Sequence, residues 1–174
     1  AGEPSLPRAS DAELLDVWLP VVTEWCYRLG GPRVDPEDAA HEVIIVLLTR
    51  MDTIRDPASL PSWLFGTTRR VLAQHRRYAW ARRWLPGAST ERPDHQRDPL
   101  SASAGSQTVE RVRHLLEQLS TRDRMVIVLC DVEERTDTEV ARLLGIPKNT
   151  VKTRLFRARR RLRALAEKRG VLPS

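Results

Sequence analysis

The strongest chemical signal in the chain comes from basic side chains in its last quarter. Residues 148–163 carry eight Lys or Arg and no acidic residue, which is typical of a surface that contacts a polyanion such as nucleic acid. A second basic block, residues 69–83, carries six Arg and no acid. Its arginines alternate with aromatic residues, a combination that suits stacking on unpaired bases. Solvated helix faces can be equally basic, so charge alone leaves both alternatives open.

Residues suited to catalysis or metal binding are few and scattered. The histidines are His41, His75, His95 and His114, and the cysteines are Cys26 and Cys130. Their positions do not match the spacing of metal ligands. No Ser/His/Asp, HExxH or P-loop pattern of a catalytic or nucleotide site occurs. We therefore expect no enzymatic activity, no cofactor and no metal site. The cysteine usage indicates a reducing compartment, so we expect a cytoplasmic protein.

The composition indicates a folded protein of one ordinary or two small domains. The chain has 174 residues, of which 41% are apolar and 30% charged, and a formal net charge of +6. Almost all of the positive charge is arginine. No apolar stretch is long enough to span a membrane, and the N-terminus lacks the pattern of a signal peptide. We expect no membrane insertion.

Residues 86–106 divide the chain in two. Nine of these 21 residues are Pro, Gly or Ser, and such a segment buries too little surface to offset the entropy of ordering it. We predict a flexible linker here, between a domain at 10–85 and a domain at 107–170. Residues 1–9 and 171–174 are expected to be terminal tails.

Both domains are predicted to be all-α, because apolar residues recur every three or four positions. Asp35 before Pro36 predicts a helix start. In the second domain, Thr136 and Glu139 fit a capping box, and Gly145 ends the helix that follows. The next helix begins near Lys148, so the second domain is predicted to contain a helix-turn-helix.

The last helix has one apolar and one basic face when drawn at 100° per residue. The apolar stripe consists of Val151, Leu155, Ala158, Leu162 and Leu165. The opposite face consists of Lys152, Thr153, Phe156, Arg157 and Arg160. Arginine matches guanine edges or phosphates, and an apolar side chain contacts the thymine methyl group. We predict that this face reads duplex DNA.

An acidic face is predicted on the helix that begins at Pro36. Asp38, Glu42 and Ile45 point outward and His41 lies at the border, which suits a basic, partly apolar protein surface. The residues alone leave open whether Ile45 is instead covered by a neighbouring helix. They also leave open the roles of three aromatic residues beyond the core Trp63. These are Tyr78, Trp80 and Trp84.

Three segments resemble the group IV, or extracytoplasmic function (ECF), sigma factors of bacterial RNA polymerase, in the sigma-70 family. They read PEDAAHEVIIVLL, PSWLFGTTRRVLAQHRR and TEVARLLGIPKNTVKTRLFRARRRL. The resemblance covers nearly the whole chain outside the N-terminal tail and the linker. It implies a first domain for core polymerase and the −10 promoter element, and a second for the −35 element.

The resemblance also implies roles for individual residues. The polymerase-binding motif falls on Asp38, His41 and Glu42, with Ile45 on the same face, and implies docking on the clamp coiled-coil of the largest polymerase subunit. His41 stands where the family has Gln and Ile44 where it has Phe, so we expect weakened docking.

The predicted promoter contacts lie in both domains. The −10 residues, from the arginine-rich block, are Arg69, Arg70, His75, Arg76 and Arg77. Of these, the resemblance bears on Arg70, which stands where the family has Asn, close to the loop that captures a flipped base. The −35 residues are Lys148, Asn149, Thr150, Lys152, Thr153, Phe156, Arg157 and Arg160. The resemblance itself assigns Lys152, Thr153, Phe156 and Arg157 among them.

The implied function is that of a dissociable specificity subunit. It binds duplex DNA at −35 and melted single strand at −10, and most of the family is controlled by an anti-sigma factor. The linker spans roughly 25 Å as a coil and about 70 Å when stretched, against roughly 50 Å between the two elements. The alternative is an autonomous helix-turn-helix regulator that needs no polymerase. The first domain distinguishes a sigma factor from such a regulator, because its acidic face and arginine block have no use in a simple repressor.

Overall fold

The computed structural model describes residues 11–82 and 104–171, which contain helices and turns and no strand. The all-α prediction is confirmed. The tail at 1–9, residues 172–174 and most of the predicted linker lie outside the described residues. The last three linker residues, 104–106, form the first turn of a helix.

The N-terminal domain contains three helices: α1 (Asp11–Gly30), α2 (Pro36–Arg50) and α3 (Leu60–Arg82). The α1 helix continues through Pro20. The α2 helix begins as predicted, because Asp35 Oδ1 accepts hydrogen bonds from the backbone N–H groups of Glu37 (2.9 Å) and Asp38 (3.1 Å). Two short 3₁₀ turns, Met51–Thr53 and Pro57–Ser59, connect α2 to α3.

The C-terminal domain contains four helices: α4 (Ala104–Glu117), α5 (Thr121–Ile127), α6 (Asp137–Leu144) and α7 (Lys148–Lys168). A π-helical turn, Val128–Val132, extends α5. The capping box of Thr136 and Glu139 is formed at the start of α6. Gly145 ends α6 with φ of 64°, a left-handed conformation that glycine adopts without strain. The tight turn sets α7 against α6 as a helix-turn-helix.

The two domains pack against each other around one continuous core. The α6 helix lies against α3, and α5 touches α1. Trp25 is buried at the centre of the N-terminal domain, with its ring edge-on to Phe65 at 5.0 Å. Its indole N–H donates across the junction to Glu133 Oε1 (3.0 Å), and Arg28 lies 3.7 Å from the same oxygen. The packing therefore combines apolar burial with polar contacts between domains.

Candidate nucleic-acid and polymerase interfaces

The α7 helix presents its basic face to solvent. Val151, Leu155 and Ala158 are buried, as the sequence predicts. On the opposite face Phe156 is 64% exposed. Lys148, Asn149, Lys152, Thr153, Arg157 and Arg160 are exposed with it, and Thr150 is half-buried. The helix-turn-helix thus holds an apolar ring and several bases at one accessible surface, the combination that major-groove recognition requires.

Arginines beside this face are tied to the protein itself. Arg159 donates to Asp131 (Nε to Oδ2, 3.1 Å), and this hydrogen bond raises the pKa of the Arg159 guanidinium. Arg161 bonds Asp123 at the start of α5. Within the described part of the chain, Arg157 forms no ion pair. The fold therefore separates arginines that hold α7 in place from those that remain available to a ligand.

The acidic face of α2 is also accessible. Asp38 and His41 are exposed, and Ile45 is 60% exposed, so none of the helices described covers it. Ile44 is buried. Its difference from the family's Phe therefore alters the core under the face rather than the face itself.

A hydrogen bond links the two predicted binding regions of the N-terminal domain. His75 Nε2 on α3 lies 2.8 Å from Glu42 Oε2 on α2. Both side chains are partly exposed. Glu42 thus belongs to the α2 face and also orients a residue of the predicted −10 set. The sequence does not show this connection, because the two residues are 33 positions apart.

The predicted −10 residues divide into two groups on α3. Arg69, Arg70 and Arg77 are exposed, whereas His75 and Arg76 are half-buried. Arg76 Nη1 donates to the carbonyl oxygens of Leu29 (3.2 Å) and Gly30 (3.5 Å) at the end of α1. Cationic groups are favourable at a helix C-terminus. Burial lowers the pKa of Arg76.

Two aromatic side chains near the end of α3 are exposed. Tyr78 is 62% and Trp80 61% accessible, whereas Trp63 packs partly buried against the core. Trp84 lies outside the described residues. A cavity of about 530 Å³ lies beside Trp80, between it and the side chains of Arg70 and Arg77.

A larger cavity of about 570 Å³ opens between α3 and α5. Arg69, Arg70 and Arg76 line it from the N-terminal domain, and Thr121 and Arg122 from the C-terminal domain. The sequence did not indicate this cavity, because it exists only where the domains meet.

The sequence also did not single out Arg124, which is only 6% exposed. It donates to the carbonyls of Leu116 (2.8 Å), Glu117 (2.8 Å) and Leu119 (3.4 Å), and across the junction to Leu29 (3.3 Å). Burial lowers the pKa of Arg124, Glu117 opposes that shift, and Arg76 adds to it. An arginine directly before an apolar run, RMVIVL, was the available signal.

No helix among the described residues is long and apolar enough to cross a membrane. Across 11–82 and 104–171, no three His, Cys, Asp or Glu side chains are grouped as a metal site would need.

Two family descriptions match the chain. The model of Sigma-70 region 2 matches residues 14–84, and that of Sigma-70 region 4 matches residues 109–162. The ECF RNA polymerase sigma factor SigL of Mycobacterium tuberculosis is 29% identical over 172 residues, 98% of this chain and 94% of that protein. The RNA polymerase sigma-E factor of Streptomyces avermitilis is 31% identical over 145 residues, 83% of this chain and 78% of that protein.

Solved structures share the fold. The sigma factor RpoE of Bartonella quintana, in complex with the anti-sigma factor NepR, superposes with a TM-score of 0.65 at 21% identity. The match covers 90% of this chain and 96% of that one. CnrH, in complex with the cytosolic domain of CnrY, gives 0.64 at 22% identity over 91% and 88% of the two chains. With both sigma-70 regions matched in order and relatives aligned over most of its length, the chain belongs to the ECF sigma factors of the sigma-70 family.

Proposed function

We propose that this sigma factor starts transcription through three separate surfaces. The outward face of α7 reads the −35 element, the arginines of α3 hold the melted −10 strand, and the acidic face of α2 docks on core polymerase. It acts as a binding subunit rather than a catalyst. The exposed Phe156, surrounded by available bases on a helix-turn-helix, is the observation that carries the proposal.

The −35 contact is assigned to α7 because its outward bases are not needed by the fold. Arg157 is exposed on the same side as Phe156, so both can enter a major groove together. Arg159, by contrast, is committed to Asp131.

The polymerase contact is assigned to α2 because its exposed face combines acids with an apolar side chain. Asp38 and Glu42 supply negative charge, and Ile45 supplies apolar area. Such a face is complementary to a basic, partly apolar surface, which we assign to the clamp coiled-coil of the largest polymerase subunit.

The −10 contact is assigned to α3 because exposed Arg69, Arg70 and Arg77 are followed by exposed Trp80. Guanidinium groups bind the phosphates of a single strand, and rings stack on its bases. The −10 and −35 elements lie roughly 50 Å apart on duplex DNA, and we infer that the domains separate from their packed arrangement to reach both.

Partners and compartment follow from this role. Polymerase and promoter DNA place the protein in the cytoplasm. An anti-sigma factor is the proposed protein inhibitor, supported by the sigma factor RpoE of Bartonella quintana, whose structure was solved in complex with the anti-sigma factor NepR.

The test is run-off transcription with purified core polymerase on a library of genomic promoter fragments. We expect initiation only when the sigma factor and the core are combined. Tight, sequence-specific operator binding by the isolated protein, with no transcription on adding core polymerase, would favour the autonomous regulator instead.

Two substitutions test the docking face separately from its internal hydrogen bond. Glu42→Arg is expected to abolish association with core polymerase. Asp38→Arg leaves the bond between Glu42 and His75 in place and is expected to weaken association as well. Asp16→Arg, an equal charge change at an exposed position of α1, serves as the control. Equal association of all three variants would refute the docking face.

The −35 assignment is tested at Arg157. Replacing it with Ala is expected to cost about 1–3 kcal/mol of binding at one −35 base pair and to relax the base preference there. Arg163→Ala, at an arginine bonded to Glu167, is the control. A uniform loss across all −35 sequences would make Arg157 a phosphate contact and contradict its reading role.

A further inference from the structure

We propose that the cavity between α3 and α5 is a binding site for a free nucleotide with several phosphates, and that the ligand holds the two domains together. The site lies outside the three surfaces assigned above, although it shares arginines with the −10 surface. Its defining residue is Arg122, which none of those surfaces uses.

The cavity is lined by several positively charged side chains that no acidic side chain of the described lining neutralises. Among the residues described, its lining includes Arg69, Arg70, Arg76 and Arg122 and no acidic side chain. Guanidinium groups bind phosphate through paired hydrogen bonds, and several of them around one space match a chain of phosphates. The Thr121 hydroxyl adds a further donor.

The cavity also has an apolar part. Leu29, Leu72 and Met125 contribute to its lining and are almost fully buried, so they offer a ring a small apolar floor rather than a broad face. A volume of about 570 Å³ is within the range of small-molecule sites, which run from about 300 to 1,000 Å³. Arginines around an apolar floor suit a base and its phosphates better than an inorganic ion alone.

One cationic side chain is already held in position. Arg76 is fixed by the carbonyls of Leu29 and Gly30, so its guanidinium loses little freedom when an anion binds. Such preorganisation increases affinity.

Packing the domains brings like charges together. Arg122 of α5 lines the same cavity as Arg76 of α3. Arg124 of α5 and Arg76 donate to the same carbonyl oxygen, that of Leu29. An anion in the cavity relieves this repulsion. The complete set of four arginines exists only in the packed arrangement, so the ligand binds that arrangement more tightly and shifts the population towards it.

A nucleotide in the cavity and a single strand on α3 require the same Arg69 and Arg70. The two ligands therefore exclude each other. Nucleotide binding favours the packed, promoter-free form of the sigma factor, whereas separation of the domains removes Arg122 from the site.

The test is isothermal titration calorimetry of the full chain at low salt with ATP and with sodium tripolyphosphate as a phosphate-only probe. Both are expected to bind, with ATP tighter because of its ring. Small-angle scattering is expected to report a smaller radius of gyration with ATP. Arg122→Glu is expected to weaken ATP binding by at least about tenfold. The control Arg111→Glu, at an exposed position of α4, is expected to change it less than about twofold.

Three results would overturn the proposal. The first is equal ATP affinity in Arg122→Glu and the wild type, and the second is no preference for ATP over tripolyphosphate. The third is a loss of oligo-dT affinity in Arg122→Glu as large as its loss of ATP affinity, which would make the cavity part of the single-strand surface. Run-off transcription by Arg122→Glu is expected to equal or exceed that of the wild type, because the variant escapes competition from the nucleoside triphosphates in the assay. Its loss would contradict the assigned promoter surfaces, whereas its retention with unchanged ATP affinity would reject only the nucleotide site.

Discussion

Replacing Arg124 with Met removes a guanidinium from the junction of the two domains while keeping most of the side-chain volume. The side chain is 6% exposed and donates to four backbone carbonyls. Three of them belong to Leu116 and Glu117 in the last turn of α4 and to Leu119 just after it, and the fourth belongs to Leu29 of the other domain. Methionine fills irregular space well, so the packing loss is small and the hydrogen bonds dominate the effect.

The two bonds of 2.8 Å, to Leu116 and Glu117, contribute about 1.5 kcal/mol each as bonds from a charged donor. The longer bonds to Leu119 and Leu29, at 3.4 and 3.3 Å, add about 0.5 kcal/mol each. Removing a buried cation close to Arg76 returns roughly 1–2 kcal/mol of desolvation and repulsion. We expect a net loss of about 2–3 kcal/mol, or a fall in Tm of roughly 5–10 °C.

Urea unfolding of the full chain, followed by far-UV circular dichroism, measures this loss. Arg111→Met removes an exposed arginine from the neighbouring helix and is expected to change stability by less than about 0.5 kcal/mol. Arg124→Lys keeps the charge without the planar fork and is expected to fall between Arg124→Met and the wild type. If Arg124→Met were as stable as the control, the carbonyl contacts would contribute nothing and the reasoning would be refuted.

Three further predictions concern stability and reactivity. Gly66→Ala is expected to stabilise the protein by about 0.5–1 kcal/mol in urea titrations, because an added Cβ inside α3 meets no atom within 4 Å; a lower midpoint would contradict this. Hydrogen bonds from Thr136 lower the pKa of Glu139, so its contribution to stability is present above its unfolded pKa and is lost as pH falls through the lower folded value. Between neutral and acid pH, the free energy of unfolding of Glu139→Gln is expected to change less than that of the wild type. If urea unfolding gave parallel pH dependences for the two proteins, that would contradict the contribution of the capping box. Burial raises the pKa of Cys26 to about 12 and that of Cys130 to about 11, so Ellman's reagent at neutral pH is expected to react with both mainly after unfolding; fast reaction of the native protein would oppose this.

Features with a local cause were predictable from the sequence. Asp35 before Pro36, the Thr136 and Glu139 pair, and Gly145 each act within a few residues, so their patterns indicated the helix ends. The buried and exposed faces of α7 follow from helical periodicity alone, and Phe156 lies where that periodicity puts it.

Features that join distant residues were not predictable. The indole of Trp25 meets a carboxylate 108 positions away, at Glu133, and the same separation problem applies to His75 and Glu42. Each of these residues is compatible with many environments, and only the packing of helices selects one. The π-helical turn at Val128–Val132 was missed because its apolar residues also fit an ordinary α-helix.

The assigned functional residues remain predictions, but the structure sharpens them. It leaves Arg157 accessible and ties Arg159 to Asp131, a distinction that charge counting does not make. It also uncovers Ile45, for which the sequence alone left two environments open.

The continuous core has a consequence for engineering promoter specificity. A hybrid sigma factor that joined the first half of one protein to the second half of another would treat the halves as independent modules. In this chain, separating the halves exposes core residues of both domains and leaves Glu133 without the indole of Trp25. A hybrid with this chain therefore needs a matched interface between its domains. The residues of the second domain that face α1 and α3 must be transplanted together with the DNA-reading helix.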